Sequence, residues 1–436
     1  MSVRAFRTVP GGLPSGEIRV PGDKSISHRS LMLGAIAEGD TRVTGFLEGE
    51  DCLATLGALE AMGVAVEREP NGALRVRGVG ADGLAAPTAP LDLGNSGTAM
   101  RLFCGLLGGQ PFRSVLTGDA SLLKRPMGRV IDPLTLMGVD IDSESGRPPL
   151  VIRGRRPLDA IDYLLPVASA QVKSAILLAG LYARGATRVT EPEVTRDHTE
   201  RMLTAMGARL HRSGNAILLE GPSTLQGIEI PVPGDLSSAA FFLVAGVLAA
   251  DDGLVIRSVG VNPTRTGVIG ILREMGAEIE IADERLAGGE PVADITVRRS
   301  ALRGIDVDPE FVPLAIDEFP VLFVAAACAE GETLFRGIGE LRVKESDRIA
   351  AMAEGLRRLG VEVEETVDSA RIRGVGRLAG GRVDSHGDHR IAMAFAVAGL
   401  AADAPIEIDD VANVATSFPG FPETCRQAGF DLETLV

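Results

Sequence analysis

Six times along this chain a short polar stretch opens an apolar helical run. The mouths are Pro21-Gly22-Asp23-Lys24-Ser25, Asn95-Ser96-Gly97-Thr98, Ser169-Ala170-Gln171, Asp235-Leu236-Ser237-Ser238, Asp317-Glu318 and Asp388-His389-Arg390. A second marker recurs with them, a glycine that ends a helix just before a strand. It stands at Gly63, Gly138, Gly207, Gly276, Gly360 and Gly429, spaced by about 70 to 85 residues. That period exceeds the usual solenoid repeats, so each repeat reads as a small α/β unit rather than a helix pair. A helix N-terminus carries unpaired N–H groups and a partial positive charge, so mouths that converge bind anions before any side chain is added.

The first repeat predicts the order within a unit. A helix from Ile26 to Ala37 is followed by a turn at Gly39-Asp40 and a strand from Thr41 to Val43. A second helix runs from Cys52 to Ala61, with strands near Val64 to Glu67 and Leu74 to Val76. Leu53, Leu56, Leu59 and Met62 share one helical face, and β-branched residues fill the shorter runs. The unit is βαβαββ or close to it. Arg19-Val20-Pro21-Gly22-Asp23 and Pro231-Val232-Pro233-Gly234-Asp235 are near copies, each a short strand entering a Pro-Gly turn, as at a crossover between two halves. The expected domains are therefore 21–232, with three repeats, and 1–20 plus 233–436, with the other three. Residues 1–20 are expected to add an edge strand to the second of these, and the two crossings to act as a hinge.

At 436 residues the chain exceeds what one core usually supports, which also favours two domains. The formal charge of -15 argues against a general nucleic-acid or anionic-membrane surface, so cations gathered at the helix mouths need a local reason. Cys52, Cys104, Cys328 and Cys425 are far apart and form no CxxC pair, as expected of reduced thiols in the cytoplasm. Residues 1–20 show no apolar leader core, and the longest apolar run, Ala239 to Ala250, is too short to span a bilayer. His198, His386 and His389 lack the spacing of metal-ligand motifs, so no metal is expected.

The stretches PGDKSISHRSLML, LGNSGTAMR, LKRPM, SAQVKSA, TRDHTERML, PGDLSSAAF, NPTRTG, IDEFP, RVKESDR and DHRIAMAF, in this order and over nearly the whole chain, resemble the signatures of the 5-enolpyruvylshikimate-3-phosphate (EPSP) synthase family of enolpyruvyl transferases. The resemblance implies a two-domain inside-out α/β barrel of six βαβαββ repeats, with the active site in the interdomain cleft. It implies transfer of the enolpyruvyl group of phosphoenolpyruvate to the 5-hydroxyl of shikimate 3-phosphate, with release of phosphate and no cofactor. The partners implied are those two small molecules alone, for a monomer that engages neither nucleic acid nor membrane. Each phosphate carries about -1.5 to -2 charges, so two phosphates and two carboxylates require a cationic cluster. Lys24, Arg29, Arg101, Arg125, Arg196, Lys344, Arg348 and Arg390 lie at or near the mouths to supply it.

Carried over motif by motif, shikimate 3-phosphate would meet Lys24, Ser25, Arg29, Ser169, Ala170, Gln171, Arg196, Asp317 and Lys344. Phosphoenolpyruvate would meet Lys24, Gly97, Arg125, Gln171, Arg348 and Arg390, with Asn95, Thr98 and Arg101 in support. The chemistry needs acid and base groups on both sides of the reacting carbon, and Asp317, Glu345 and Lys24 are the candidates. Glu318, beside Asp317, reads instead as a helix cap, and His28 as a packing residue.

Two departures qualify the resemblance. Where some members carry a lysine touching phosphoenolpyruvate, this chain has Thr416-Ser417-Phe418-Pro419. The segment with Ala170 and Lys173 resembles a subgroup tolerant of the inhibitor glyphosate, whereas Gly97 resembles the sensitive members. Two alternatives stand beside the main reading. A UDP-N-acetylglucosamine enolpyruvyl transferase would carry a loop cysteine where this chain has Lys124-Arg125-Pro126. An RNA-end-processing protein of similar repeats would be expected to be basic.

Overall fold

The computed structural model describes residues 5–435. Two compact units emerge. A central unit comprises Gly22–Val232 with Ala287–Glu290, and a terminal unit comprises the described residues up to Pro21 together with Pro233–Leu286 and the chain from Pro291 onward. Each has its own hydrophobic core.

In the central unit the helices Lys24–Ala35, Gly97–Gly108 and Ala170–Gly180 are buried on nearly every side. Gly97–Gly108 and Ala170–Gly180 are mostly apolar, as suits interior helices, while Lys24–Ala35 also buries Ser27, His28, Arg29 and Ser30, and all three pack inside open sheets. The first sheet runs Leu225–Gln226, Ala37–Thr44, Leu74–Val79, Val66–Arg68, with Glu229–Pro231 also on Ala37–Thr44. The second runs Leu91–Asp92, Arg113–Thr117, Arg147–Arg153, Asp140–Glu144. The third runs Leu158–Asp159, Ala183–Thr190, Ala216–Gly221, Leu210–Ser213, with Asp162–Leu164 also on Ala183–Thr190. The second and third sheets take a parallel strand from the segment before their own repeat, and the first takes Leu225–Gln226 and Glu229–Pro231 from the end of the third repeat, which closes the three repeats in a cycle. The outer strand faces alternate buried and exposed residues, as in Leu74–Val79, so the helices are inside and the sheets outside.

The terminal unit repeats the plan around Leu236–Ala249, Phe319–Cys328 and His389–Ala398. Its sheets run Glu278–Ala287, Glu290–Arg298, Leu254–Gly260, Gly16–Ile18; then Glu332–Phe335, Ala370–Arg373, Glu362–Glu365; then Gly381–Asp384, Ile406–Asp409, Ala5–Thr8, Leu432–Leu435. No sheet closes into a barrel among the described residues; the arrangement is the two-domain inside-out α/β fold.

Three local expectations change. The N-terminal segment supplies two strands, and only Gly16–Ile18 is at an edge. Ala5–Thr8 lies between Ile406–Asp409 and Leu432–Leu435, completing the last repeat, which has no strand of its own for that place. The first helix is Lys24–Ala35 rather than Ile26 to Ala37, because Asp23 caps it by accepting from the Ile26 N–H at 2.9 Å. Gly39-Asp40 is no turn: the strand Ala37–Thr44 passes through it, pairing Gly39 with Gly78 and Asp40 with Arg77, and the φ of +81° at Gly39 kinks the strand without ending it.

No helix is long and apolar enough to cross a membrane among the described residues. The four cysteines are free, and burial pushes the Cys104 and Cys328 thiols up to about 12.

Candidate active site

Each unit carries its candidate residues at the N-terminal ends of its interior helices, because the sequence puts a short polar cap there and then turns apolar. In the central unit, Asp23, Ser96 and Ser169 cap the three helices, accepting from Ile26, Ala99 and Val172 at 2.9, 3.1 and 3.4 Å. Just inside those caps lie the side chains expected to bind anions. Lys24 forms an ion pair with Asp51, a buried residue in the first turn of the helix Glu50–Glu60. Arg29 is buried and held at three points: Nε to Thr199 Oγ1 at 2.7 Å, Nη1 to the Ser25 carbonyl at 2.9 Å and Nη2 to Ser174 Oγ at 2.9 Å. Burial pulls its guanidinium down to about 10, against the raising influence of Glu200 and Asp23, and the group stays cationic at neutral pH.

The second and third mouths are tied together. Arg101 Nη1 donates to Gln171 Oε1 at 2.7 Å, and Gln171 Nε2 donates to Thr98 Oγ1 at 2.9 Å. Arg125 Nη2 donates to Asn95 Oδ1 at 2.6 Å, and Asn95 Nδ2 donates in turn to Asp119 Oδ2 at 2.7 Å. A β-carbon added at Gly97 would lie 2.8 Å from Arg125 Nη1 and 2.9 Å from Arg101 Nη1, so this glycine is what lets two guanidinium groups reach the mouth of its helix. Arg196 is half-buried, and its charge acts on Arg29. His28 is fully buried with Nδ1 2.8 Å from Thr55 Oγ1; burial, then Lys24 and Arg29, push its basicity well down, so it is a neutral hydrogen-bonding residue of the core.

In the terminal unit the centre is Arg348, 1% exposed. Its Nε donates to Asp388 Oδ2 at 2.8 Å, Nη2 to Glu345 Oε2 at 2.6 Å and Nη1 to Asp317 Oδ1 at 3.3 Å. Burial alone would lower its pKa, but Asp388, Glu345 and Asp317 outweigh it, and the guanidinium is held above its ordinary value. Asp388 shows the converse: burial pushes it up, Arg348 prevails, and the carboxylate ends below its ordinary value. Asp388 also caps the helix His389–Ala398 through the Arg390 N–H at 2.9 Å. Lys344 Nζ lies 3.5 Å from Asp317 Oδ1, and Arg390 Nη1 donates to the Asp317 carbonyl at 3.0 Å.

The expected residues thus gather at the mouths within each unit: Lys24, Ser25, Arg29, Asn95, Gly97, Thr98, Arg101, Arg125, Ser169, Ala170, Gln171 and Arg196 in the central unit, and Asp317, Lys344, Glu345, Arg348 and Arg390 in the terminal one. Glu318 is not the cap it was expected to be. It is buried, makes no capping bond, accepts from Ser237 Oγ and lies 3.7 Å from Arg265 and 3.9 Å from Arg390. Its helix starts with Phe319-Pro320, and the proline removes an N–H that a cap would satisfy. Sequence reasoning also missed Asp51, Thr199 and Ser174. Asp51 follows Glu50 in an ordinary acidic first turn, so nothing in the chain signalled its pairing with Lys24, whereas Thr199 stands in the TRDHTERML stretch and could have been flagged. Thr416 and Ser417 are buried, with Thr416 Oγ1 donating to the Asn413 carbonyl at 2.7 Å. Among the described residues no group of three or more His, Cys, Asp or Glu is placed to hold a metal ion.

This chemistry has close relatives. A family model described as EPSP synthase (3-phosphoshikimate 1-carboxyvinyltransferase) matches residues 10–425. The chain is 62% identical over 428 residues to the 3-phosphoshikimate 1-carboxyvinyltransferase of Alkalilimnicola ehrlichii, covering 98% of this chain and 96% of that one. It is 53% identical over 428 residues to the corresponding protein of Legionella pneumophila, covering 98% and 99%. A solved EPSP synthase from Acinetobacter baumannii matches with a TM-score of 0.89 at 54% identity, over 99% of this chain and 100% of that one. The enolpyruvyl transferase NikO from Streptomyces tendae, 18% identical, shares the fold with a TM-score of 0.80 over 100% and 99%. With its motifs, its fold and a match from residue 10 to residue 425, the chain belongs to the EPSP synthase family.

Proposed function

We propose that the chain transfers the enolpyruvyl group of phosphoenolpyruvate to the 5-hydroxyl of shikimate 3-phosphate, and that the helix mouths of both units serve this one pair of substrates. The observation that carries the reading is the division of labour between the mouths. The central unit offers mainly cations, Lys24, Arg29, Arg101, Arg125 and Arg196, which suit phosphate and carboxylate groups. The terminal unit mixes cations with carboxylates at Asp317 and Glu345, which suit proton transfer. In this reading shikimate 3-phosphate lies on Lys24, Ser25, Arg29, Ser169, Ala170, Gln171, Arg196, Asp317 and Lys344, and phosphoenolpyruvate on Lys24, Gly97, Arg125, Gln171, Arg348 and Arg390.

Asp317, with Lys344 and Arg348 within 3.5 Å, takes the proton of the 5-hydroxyl as the hydroxyl oxygen attacks C2 of phosphoenolpyruvate. Glu345 or Lys24 delivers a proton to the methylene carbon. The tetrahedral adduct then returns a proton from the new methyl group to the group that donated it and expels phosphate, which takes the proton held by Asp317; the double bond is restored and both acid-base groups end as they began. Arg348 holds Glu345 and Asp317 together, so their spacing is set before substrate arrives. The reading takes the chain as a cytoplasmic monomer, since one chain carries every motif residue and its four cysteines are free thiols.

Phosphate release with phosphoenolpyruvate as donor tests the acceptor. Release is expected with shikimate 3-phosphate and not with UDP-N-acetylglucosamine; the opposite pattern would overturn the assignment. Glyphosate, which the family binds in place of phosphoenolpyruvate, gives a second test. Inhibition is expected to be competitive with phosphoenolpyruvate. Gly97→Ala is expected to weaken glyphosate by roughly 5- to 150-fold, the range of a clash costing about 1–3 kcal/mol. Because the new methyl group would press on Arg125 and Arg101, the KM for phosphoenolpyruvate is expected to rise too, but less. Full resistance of the unmodified protein to millimolar glyphosate would show that Gly97 does not decide sensitivity.

A further inference from the structure

Lys173 is in the first turn of the helix Ala170–Gly180 and is completely buried. Both facts run against its charge: a helix N-terminus repels a cation, and a lysine is almost never buried unless paired. Its ammonium makes three contacts, to Glu200 Oε1 at 2.8 Å, Glu191 Oε2 at 3.0 Å and the Thr195 carbonyl at 3.3 Å. The contacts with Glu191 and the Thr195 carbonyl are hydrogen bonds, whereas that with Glu200 is a close ion pair without hydrogen-bond geometry. Arg212 approaches the same carboxylates from the strand Leu210–Ser213, at 3.4 Å from Glu191 and 3.6 Å from Glu200, so two cations balance two anions.

Glu191 and Glu200 bracket the segment that carries Arg196, and Glu191 Oε1 also accepts from the Thr195 N–H at 3.2 Å. Just beyond Arg196, Thr199 Oγ1 accepts from Arg29 and donates to Ser174 Oγ at 2.7 Å, and Ser174 Oγ donates to the Ala170 carbonyl at 2.6 Å. The buried cluster therefore joins the segment bearing Arg196, the side chain of Arg29 and the mouth Ser169-Ala170-Gln171. Arg29 and Arg196 repel each other, and something must hold them near one another while no anion is bound. A buried ion pair is weak evidence for stability, since well-packed apolar side chains often serve as well. Fixing geometry is the better account of this one.

We infer that Lys173 is a positioning residue which, through Glu191 and Glu200, holds the Arg196 segment against the Ser169 mouth and so pre-organises the shikimate-phosphate half of the site. The inference rests on the proposed placement of shikimate 3-phosphate on Arg29 and Arg196. Lys173→Met alone leaves two buried carboxylates with one cation fewer and risks misfolding. The decisive protein is therefore the charge-balanced double variant Lys173→Met with Glu200→Gln, first checked by thermal melting against the unmodified protein.

In steady-state kinetics the double variant is expected to raise the KM for shikimate 3-phosphate by about 10- to 100-fold, the scale of a small misplacement of binding groups. The KM for phosphoenolpyruvate and kcat are expected to stay within about threefold, a split that general loosening would not produce. A double variant that melts normally and keeps the normal KM for shikimate 3-phosphate would overturn the inference. So would one in which both KM values rise together, or one too unstable to fold, since Lys173 would then serve stability. Arg196→Ala separates the underlying reading: if it leaves the KM for shikimate 3-phosphate unchanged, the placement of that substrate fails and the inference falls with it. If Arg196→Ala raises that KM and the double variant does not, only the role of Lys173 is lost.

Discussion

Glu345→Gln is expected to lower kcat by roughly 10²–10⁴ while leaving both KM values nearly unchanged, the range lost when one positioned acid-base group is removed. The amide keeps the length of the side chain and an oxygen that can accept from Arg348 Nη2, which now donates to Glu345 Oε2 at 2.6 Å. Arg348 would therefore keep its bonds to Asp388 and Asp317, and the binding groups their places. What the amide cannot do is give up or take a proton. A fall in kcat at constant KM is the signature of an interaction made only in the transition state, and steady-state kinetics with each substrate varied in turn reads it directly. Turnover within a few-fold of normal would take Glu345 out of the chemistry and leave the methylene proton to Lys24.

Arg348→Met should have the largest effect on stability. Removing one partner of a buried ion network costs about 3–5 kcal/mol, because the remaining charges are left buried without compensation. Here three carboxylates, Asp388, Glu345 and Asp317, share one guanidinium that is 1% exposed. The sign of the pH dependence follows from Asp388. Its folded-state pKa is held below the ordinary aspartate value, so the stability it contributes is full above the ordinary range and is lost as pH falls through the lowered value. Without Arg348, burial acts unopposed and drives the Asp388 pKa up, so the unpaired carboxylate destabilises most at neutral pH and is relieved by protonation. Urea unfolding should show a deficit that is largest near neutral pH and narrows on acidification. A deficit independent of pH would mean that lost packing, not charge, is what Arg348 supplies.

Much of this was legible in the chain. The six polar mouths and the six helix-ending glycines foretold interior helices with polar and charged side chains at one end, because capping and apolar periodicity are local properties that survive tertiary packing. The misreadings came where locality fails. Gly39-Asp40 has turn composition, yet its pairing with Gly78 and Arg77 absorbs it into a strand. Ala5–Thr8 looked like an addition at an edge and is an inner strand, because its neighbours are more than 390 residues away along the chain.

The same division runs through the candidate site. Sequence by itself determined which side chains stand at the helix mouths, since a cap and the first turn are set by adjacent residues. It also determined the family, since ten short motifs occur in one order. Only the tertiary structure decided what those side chains do to one another. Glu318 became a partner of Ser237 rather than a cap, Asp51 became the counter-ion of Lys24, and Lys173 became a buried tie to Glu191 and Glu200. In each case the deciding quantity is burial, which strengthens a charge pair and penalises an unpaired group, and burial depends on segments that meet only when the chain has folded.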